Sequence, residues 1–182
     1  MMSSVAGQSL ERDALTGLPG RGHVQRYLDE HFQLAHHAGA ALTVILADVD
    51  HLRALNDEYG RAAGDQVMRS LGDALAQGLR GRDLLGRWAG AQLIVVMPET
   101  EGRGAQAVAE RLRRKAEGLS HPVAPGHTVS ATLSVGWATM SSDPFTSPAD
   151  LVNAAAQALS AAKAAGRNRT GSWAAVSSGS PR

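Results

Sequence analysis

The chain reads as an α/β sandwich with a largely antiparallel central sheet and helices on its faces. Three observations support this. Apolar residues recur at helical spacing in several stretches, short β-branched or alternating runs lie between them, and two apolar strands are separated only by Ala89-Gly90-Ala91. In order these give a helix, a strand, one or two helices, a hairpin, a helix, a strand, a helix and a short final strand. That order suits a layered fold rather than a bundle or a barrel.

Composition sets the outer bounds. With 182 residues, 43% of them hydrophobic, the chain is long enough for one domain with a sizeable core. A net charge of +1 gives no electrostatic case for nucleic acid or a membrane surface as partner. The absence of cysteine excludes disulfides and thiolate metal sites, and no run approaches the length of a membrane span. A cytoplasmic location is the expectation. Residues 1–9 read as a flexible tail or linker, 10–172 as the folded domain and 173–182 as a second tail.

Along the domain, Asp13-Ala14-Leu15-Thr16-Gly17-Leu18-Pro19-Gly20-Arg21 is a turn-rich entry. From Gly22 to about His37, the residues Val24, Tyr27, Leu28, Phe32 and Ala35 mark one face of a helix. His31 falls in that stripe while His23, His36 and His37 lie off it, so the histidines read as structural rather than as metal ligands. Ala40 to Ala47 suits a central strand, and it leads into Asp48-Val49-Asp50. Carboxylates at the end of a central strand can face a ligand crevice, or can be plain strand-end and helix-cap residues.

Asp65 to Leu79 carries Val67, Met68, Leu71, Leu75 and Leu79, a helical stripe. Arg80-Gly81-Arg82-Asp83 then precedes hairpin strands Leu84–Trp88 and Gln92–Met97, and Glu101 to Leu119 is helical. Ser120 to His127 reads as a loop or irregular edge, and Thr128 to Thr139 as one strand. Ser147 and Pro148 supply a cap and a first-turn proline for the last helix, which ends in Lys163-Ala164-Ala165-Gly166-Arg167-Asn168-Arg169. Lys, Gly and Arg at that end also suit ordinary C-terminal capping.

These segments resemble, in order over about residues 10 to 172, the GGDEF or diguanylate cyclase domains. That family writes Gly-Gly-Asp/Glu-Glu-Phe where this chain has Ala89-Gly90-Ala91-Gln92-Leu93. The resemblance implies a palm-like fold shared with nucleotide cyclases, and a metal-assisted phosphoryl transfer between two GTP molecules that makes cyclic di-GMP. Such chemistry needs carboxylates to hold Mg²⁺ against a triphosphate. Ala91 stands where the family has its acidic metal ligand and candidate base, and Gln92 where the next carboxylate would be. A methyl group cannot bind a hard cation, and a neutral amide is a weak substitute for a carboxylate.

By the same resemblance, Asp48 is left as one weak metal ligand, so any Mg²⁺ would arrive with a bound nucleotide and no cofactor is required. Asn56 and Asp65 occupy guanine-contacting places, and Lys163 and Arg167 phosphate-contacting ones, for a residual GTP site. Arg80-x-x-Asp83, five residues ahead of the hairpin tip, resembles the family's inhibitory site for cyclic di-GMP, with Arg111 as its secondary arginine and Arg113 as a second candidate to share the work. An arginine fork suits phosphate or the guanine Hoogsteen edge, and a carboxylate suits guanine's N1 and N2 donors.

Three functions follow. The first is a degenerate, regulatory domain that senses cyclic di-GMP. The second is a scaffold for a protein partner or fused signalling domain, with no ligand. The third, ranked last because Ala91 removes a metal-binding group, is a residual diguanylate cyclase or GTP-binding domain. Family members tend to work as dimers, which makes a homodimer part of the expectation.

Overall fold

The computed structural model describes residues 11–141 and 145–178. The tail read at residues 1–9 lies outside them. The elements run α1 (Arg21–Ala38), β1 (Leu42–Val49), α2 (Leu52–Tyr59), α3 (Arg61–Ala76), β2 (Leu84–Ala89), β3 (Gln92–Pro98) and α4 (Gly102–Glu117). They continue with β4 (Ser120–Ala124), β5 (His127–Ser130), β6 (Leu133–Met140), α5 (Pro148–Ala164), β7 (Thr170–Ser172) and α6 (Trp173–Ser177). Five strands form one sheet in the order β2-β3-β1-β6-β7, antiparallel except for the parallel β6–β7 pair. The expected mostly antiparallel α/β fold is what the chain adopts.

Strand β1 is central because both its faces are apolar. Ile45, Ala47 and Val49 meet Val67, Met68, Leu71 and Leu75 of α3 and Ala109 and Leu112 of α4. Leu42, Val44 and Leu46 meet Val24, Leu28 and Phe32 of α1 and Leu151, Ala155 and Leu159 of α5 on the other side. The closest approach between layers is at Gly136 of β6, where a Cβ would lie 2.1 Å from the Leu159 nitrogen. Only glycine lets α5 settle that near the sheet.

The expected hairpin forms, with Gly90 at φ 50° in its turn and a register shift between Arg87 and Ala89. Three expectations need revision. The stretch 128–139, read as one strand, is split: β5 pairs with β4 in a separate two-stranded sheet, and β6 joins the main one. The break falls at Ala131-Thr132: β5 ends at Ser130 opposite Ser120 of β4, while the Thr132 carbonyl continues the β6–β1 register by accepting from the Asp50 N–H at 2.9 Å. This pairing also turns the predicted loop 120–127 into β4 and a turn at Gly126, whose φ is 75°. Residues 173–177, read as the start of a tail, form the short helix α6, and the Trp173 ring lies 5.1 Å from that of Phe145 with the planes inclined by 54°.

Two tests follow from this packing. Gly136→Ala should cost about 3 kcal/mol in denaturant unfolding, whereas Gly81→Ala, with nothing within 4 Å of the added Cβ, should stay within about 0.5 kcal/mol. His121 on β4 is 0% exposed, with Nδ1 3.0 Å from the Ser70 hydroxyl and Nε2 unpartnered. Burial holds its imidazole below the ordinary 6.5, so on acidification the unfolded chain takes up the proton first. Stability is then lost as pH falls below about 6.5, and His121→Phe should flatten that part of the pH profile; equal slopes in the two proteins would contradict the assignment.

Candidate functional site

The end of β1 carries two carboxylates, and internal donors engage both. Register places Asp48 opposite Gln92 of β3 on one side and Ser134 of β6 on the other. The Lys163 ammonium, from the last turn of α5, donates to Asp48 Oδ2 at 2.7 Å, and Gln92 Nε2 donates to the same oxygen at 3.2 Å. Asp50 is 6% exposed and accepts three bonds. Ser134 Oγ reaches its Oδ1 at 2.7 Å, while Thr132 Oγ1 at 2.7 Å and the Asn168 N–H at 3.0 Å reach its Oδ2. Ala91 gives its carbonyl to the Val49 N–H at 3.2 Å and packs against the core on the α3 and α4 side.

The loop that brings Lys163 and Asn168 here is conformationally costly. Arg167 and Asn168 lie consecutively at φ 62° and 44°, a left-handed pair in which neither residue is glycine. The Asn168 side chain offsets part of that cost. Its Oδ1 accepts from Arg113 at 2.7 Å and its Nδ2 donates to Glu117 at 2.8 Å, both on α4. Arg113 also grips Glu110 and Glu117 at 2.9 Å. Hydrogen bonds from Arg113, and then from Arg114, pull the Glu110 carboxyl from its usual 4.5 down to about 2. Bonds from Asn168 and Arg113 lower that of Glu117.

On α2 and α3, Asn56 lies directly over Gly64: a Cβ there would sit 1.9 Å from Asn56 Oδ1. That oxygen is buried with no hydrogen-bond partner, and Asp65 is the next residue along. The structure thus sets Asn56 over Gly64, the residue before Asp65, and separately pairs Asp48 with Lys163. Arg167 is exposed on the loop that follows α5.

A second cluster lies where the chain enters β2. The Arg80 N–H donates to Asp83 Oδ2 at 3.0 Å, a turn closed by the aspartate, while Asp83 Oδ1 is buried with no partner. Arg111 of α4 donates to the Gly78 carbonyl, so its guanidinium lies beside the same loop. Arg80 and Asp83 thus close one turn, and Arg111 reaches the carbonyl two residues before it. Arg113 does not join them, because Glu110, Glu117 and Asn168 hold its guanidinium elsewhere.

The fold and these paired clusters define a nucleotide-cyclase-like domain. The family described as "Diguanylate cyclase, GGDEF domain" matches residues 10–169, and the chain belongs to it. The response regulator PleD of Caulobacter vibrioides is 34% identical over 157 residues, 86% of this chain and 34% of PleD. The chain thus spans about a third of that relative. Among solved structures, diguanylate cyclase SiaD of Pseudomonas aeruginosa, crystallised with its activator SiaC, is 33% identical with a TM-score of 0.83, covering 88% of this chain and 61% of SiaD. The GGDEF domain of DgcB from Caulobacter crescentus, crystallised with c-di-GMP, shares the fold at a TM-score of 0.86 and 23% identity, covering 93% of this chain and 99% of that one.

The family implies magnesium, and the donor set does not fit it. A divalent cation needs several anionic or carbonyl oxygens free to turn toward it. Here the third position is the Ala91 methyl, both Asp50 oxygens accept internal hydrogen bonds, and Asp48 is paired with an ammonium. Asp48, expected as a weak metal ligand, instead holds Lys163. The sequence alone gives Asn168, Thr132 and Ser134 no role in this arrangement, and marks Gln92 only as the place of a lost carboxylate. Only the strand register, which is not written in any local motif, could have placed the last two beside Asp48.

Lys163→Met should cost about 1–3 kcal/mol by leaving a partly buried carboxylate with one amide donor. Asp48→Asn in the same chain should return part of that loss, giving a coupling energy of about 1 kcal/mol or more in a double-mutant cycle of urea unfolding. Additive losses would contradict the pairing.

Proposed function

We propose that this chain is a catalytically degenerate GGDEF domain that works as a regulatory module, binding cyclic di-GMP at Arg80, Asp83 and Arg111. The observation that carries the reading is the buried, unpartnered Asp83 Oδ1. A buried carboxylate oxygen without a donor is costly in the free protein and rewards a ligand that supplies one. Guanine presents N1–H and N2–H donors side by side, which suits this acceptor. The exposed Arg80 side chain and the neighbouring Arg111 add cationic forks for the phosphodiester or the guanine Hoogsteen edge.

The strand-end crevice supports recognition of a nucleotide better than its turnover. Asn56 with its unpartnered oxygen, Asp65 and the exposed Arg167 are fit to contact GTP, and Lys163 joins them only by leaving Asp48. Phosphoryl transfer requires metal ions that bridge phosphates and neutralise developing charge, and Ala91 and Gln92 supply no anionic ligand for them. Output then passes to a fused signalling domain or a protein partner, in line with the similar SiaD, crystallised with its activator SiaC.

Calorimetry with cyclic di-GMP should give saturable heat for the native chain and at least a tenfold weaker affinity for Arg80→Ala, since charge-assisted bonds contribute about 1.5–3 kcal/mol. No heat from the native chain would end this reading. Incubation with GTP and Mg²⁺ should yield no cyclic di-GMP above background. Product that disappears in Asp48→Ala would establish an active cyclase instead.

A further inference from the structure

The Arg80–Asp83 loop sits at the open edge of the sheet, because β2, which it enters, is the outermost strand. Two layers flank it there. From one face α4 brings Arg111 to the Gly78 carbonyl. From the other, α1 brings Tyr27, whose phenol donates to the Arg82 carbonyl at 2.6 Å. Tyr27 is paired with His31 one turn further on, their ring centroids 4.2 Å apart and their planes inclined by 48°.

This pair is more than part of the core. Helix α1 is anchored by Val24, Leu28, Phe32 and Ala35, all buried, whereas Tyr27 and His31 are only half-buried. Burial, and next the Asp83 charge, push the Tyr27 phenol above its ordinary value, as expected of a ring lying close to that carboxylate. The phenol oxygen is already committed to the loop, so what the pair can offer a ligand is aromatic surface. An aromatic surface beside a cationic loop and a buried acceptor matches a purine base, which stacks by its face and donates along its edge.

We propose that Tyr27 and His31 form an aromatic wall of the cyclic di-GMP site, on which a guanine stacks while Asp83 accepts from its Watson–Crick edge. This rests on the cyclic di-GMP reading above and adds two binding residues from α1 to it. The Tyr27 hydroxyl holds the loop in place, and His31 supplies the stacking surface.

The test is calorimetry with cyclic di-GMP on the native chain, His31→Ala and His31→Phe, with circular dichroism and thermal melts confirming that each variant is folded. Loss of one base–aromatic stack should weaken binding by between about fivefold and a hundredfold in His31→Ala. His31→Phe, which restores a flat ring, should return the affinity to within about threefold of native. Native affinity in His31→Ala would overturn the wall while leaving the Arg80–Asp83 site standing. Equal weakening in the alanine and phenylalanine variants would also overturn it, since a ring would then bring no benefit. Absence of binding by the native chain would overturn the underlying cyclic di-GMP reading, and the wall with it.

Discussion

Asp50 is a carboxylate almost wholly removed from water at the point where three parts of the chain converge. It accepts from β6 through Ser134, from the residue just before β6 through Thr132, and from the loop after α5 through the Asn168 N–H. A buried charge of this kind persists only if its oxygens are satisfied, so these three segments must arrive together. The break between β5 and β6, the left-handed backbone at Arg167 and Asn168, and the placing of the end of α5 beside β1 all follow from meeting that demand. Asp50 is thereby a structural residue of the crevice rather than a free ligand in it.

With the loop fixed, Lys163 has a short path to Asp48, and the charge balance of the crevice changes. An ammonium at 2.7 Å and an amide at 3.2 Å share one carboxylate oxygen, in a place where a family member with intact acidic residues would concentrate negative charge. Ala91 contributes a methyl to the core on the α3 and α4 side instead. An internal cation, Lys163, thus offsets the charge that Asp48 retains. The same loop reaches α4 through Asn168, Arg113 and Glu117, and α4 is the helix that delivers Arg111 to the loop before β2. One helix touches both clusters.

Much of this was legible in the sequence. The apolar stripe of α1, the run that became β1, the hairpin with Gly90 at its turn and the Ser147-Pro148 start of α5 are local patterns, and each element formed where the pattern lay. Arg80, Asp83 and Arg111 were legible as a group only because a family frame fixed their spacing. What could not be read has a common cause. No Gly or Pro marks the split at Ala131-Thr132; it is set where pairing with β4 ends and the register with β1, which Asp50 and Thr132 extend, begins. The pairing of Lys163 with Asp48, the engagement of Arg113 by Asn168 and the approach of Tyr27 to Arg82 join residues 115, 55 and 55 positions apart. The orphaned oxygens of Asn56 and Asp83 are likewise products of packing.

The central claim is that the strand-end carboxylates are satisfied from within and have no place for a divalent ion. Manganese titration of the isotope-labelled chain without nucleotide checks this, because a bound Mn²⁺ broadens nearby amide resonances. The account predicts that the amides of Ala47 to Asp50 and Ala91 keep their linewidths while any broadening scatters over exposed acidic residues. Selective, saturable broadening centred on Asp48 would contradict it.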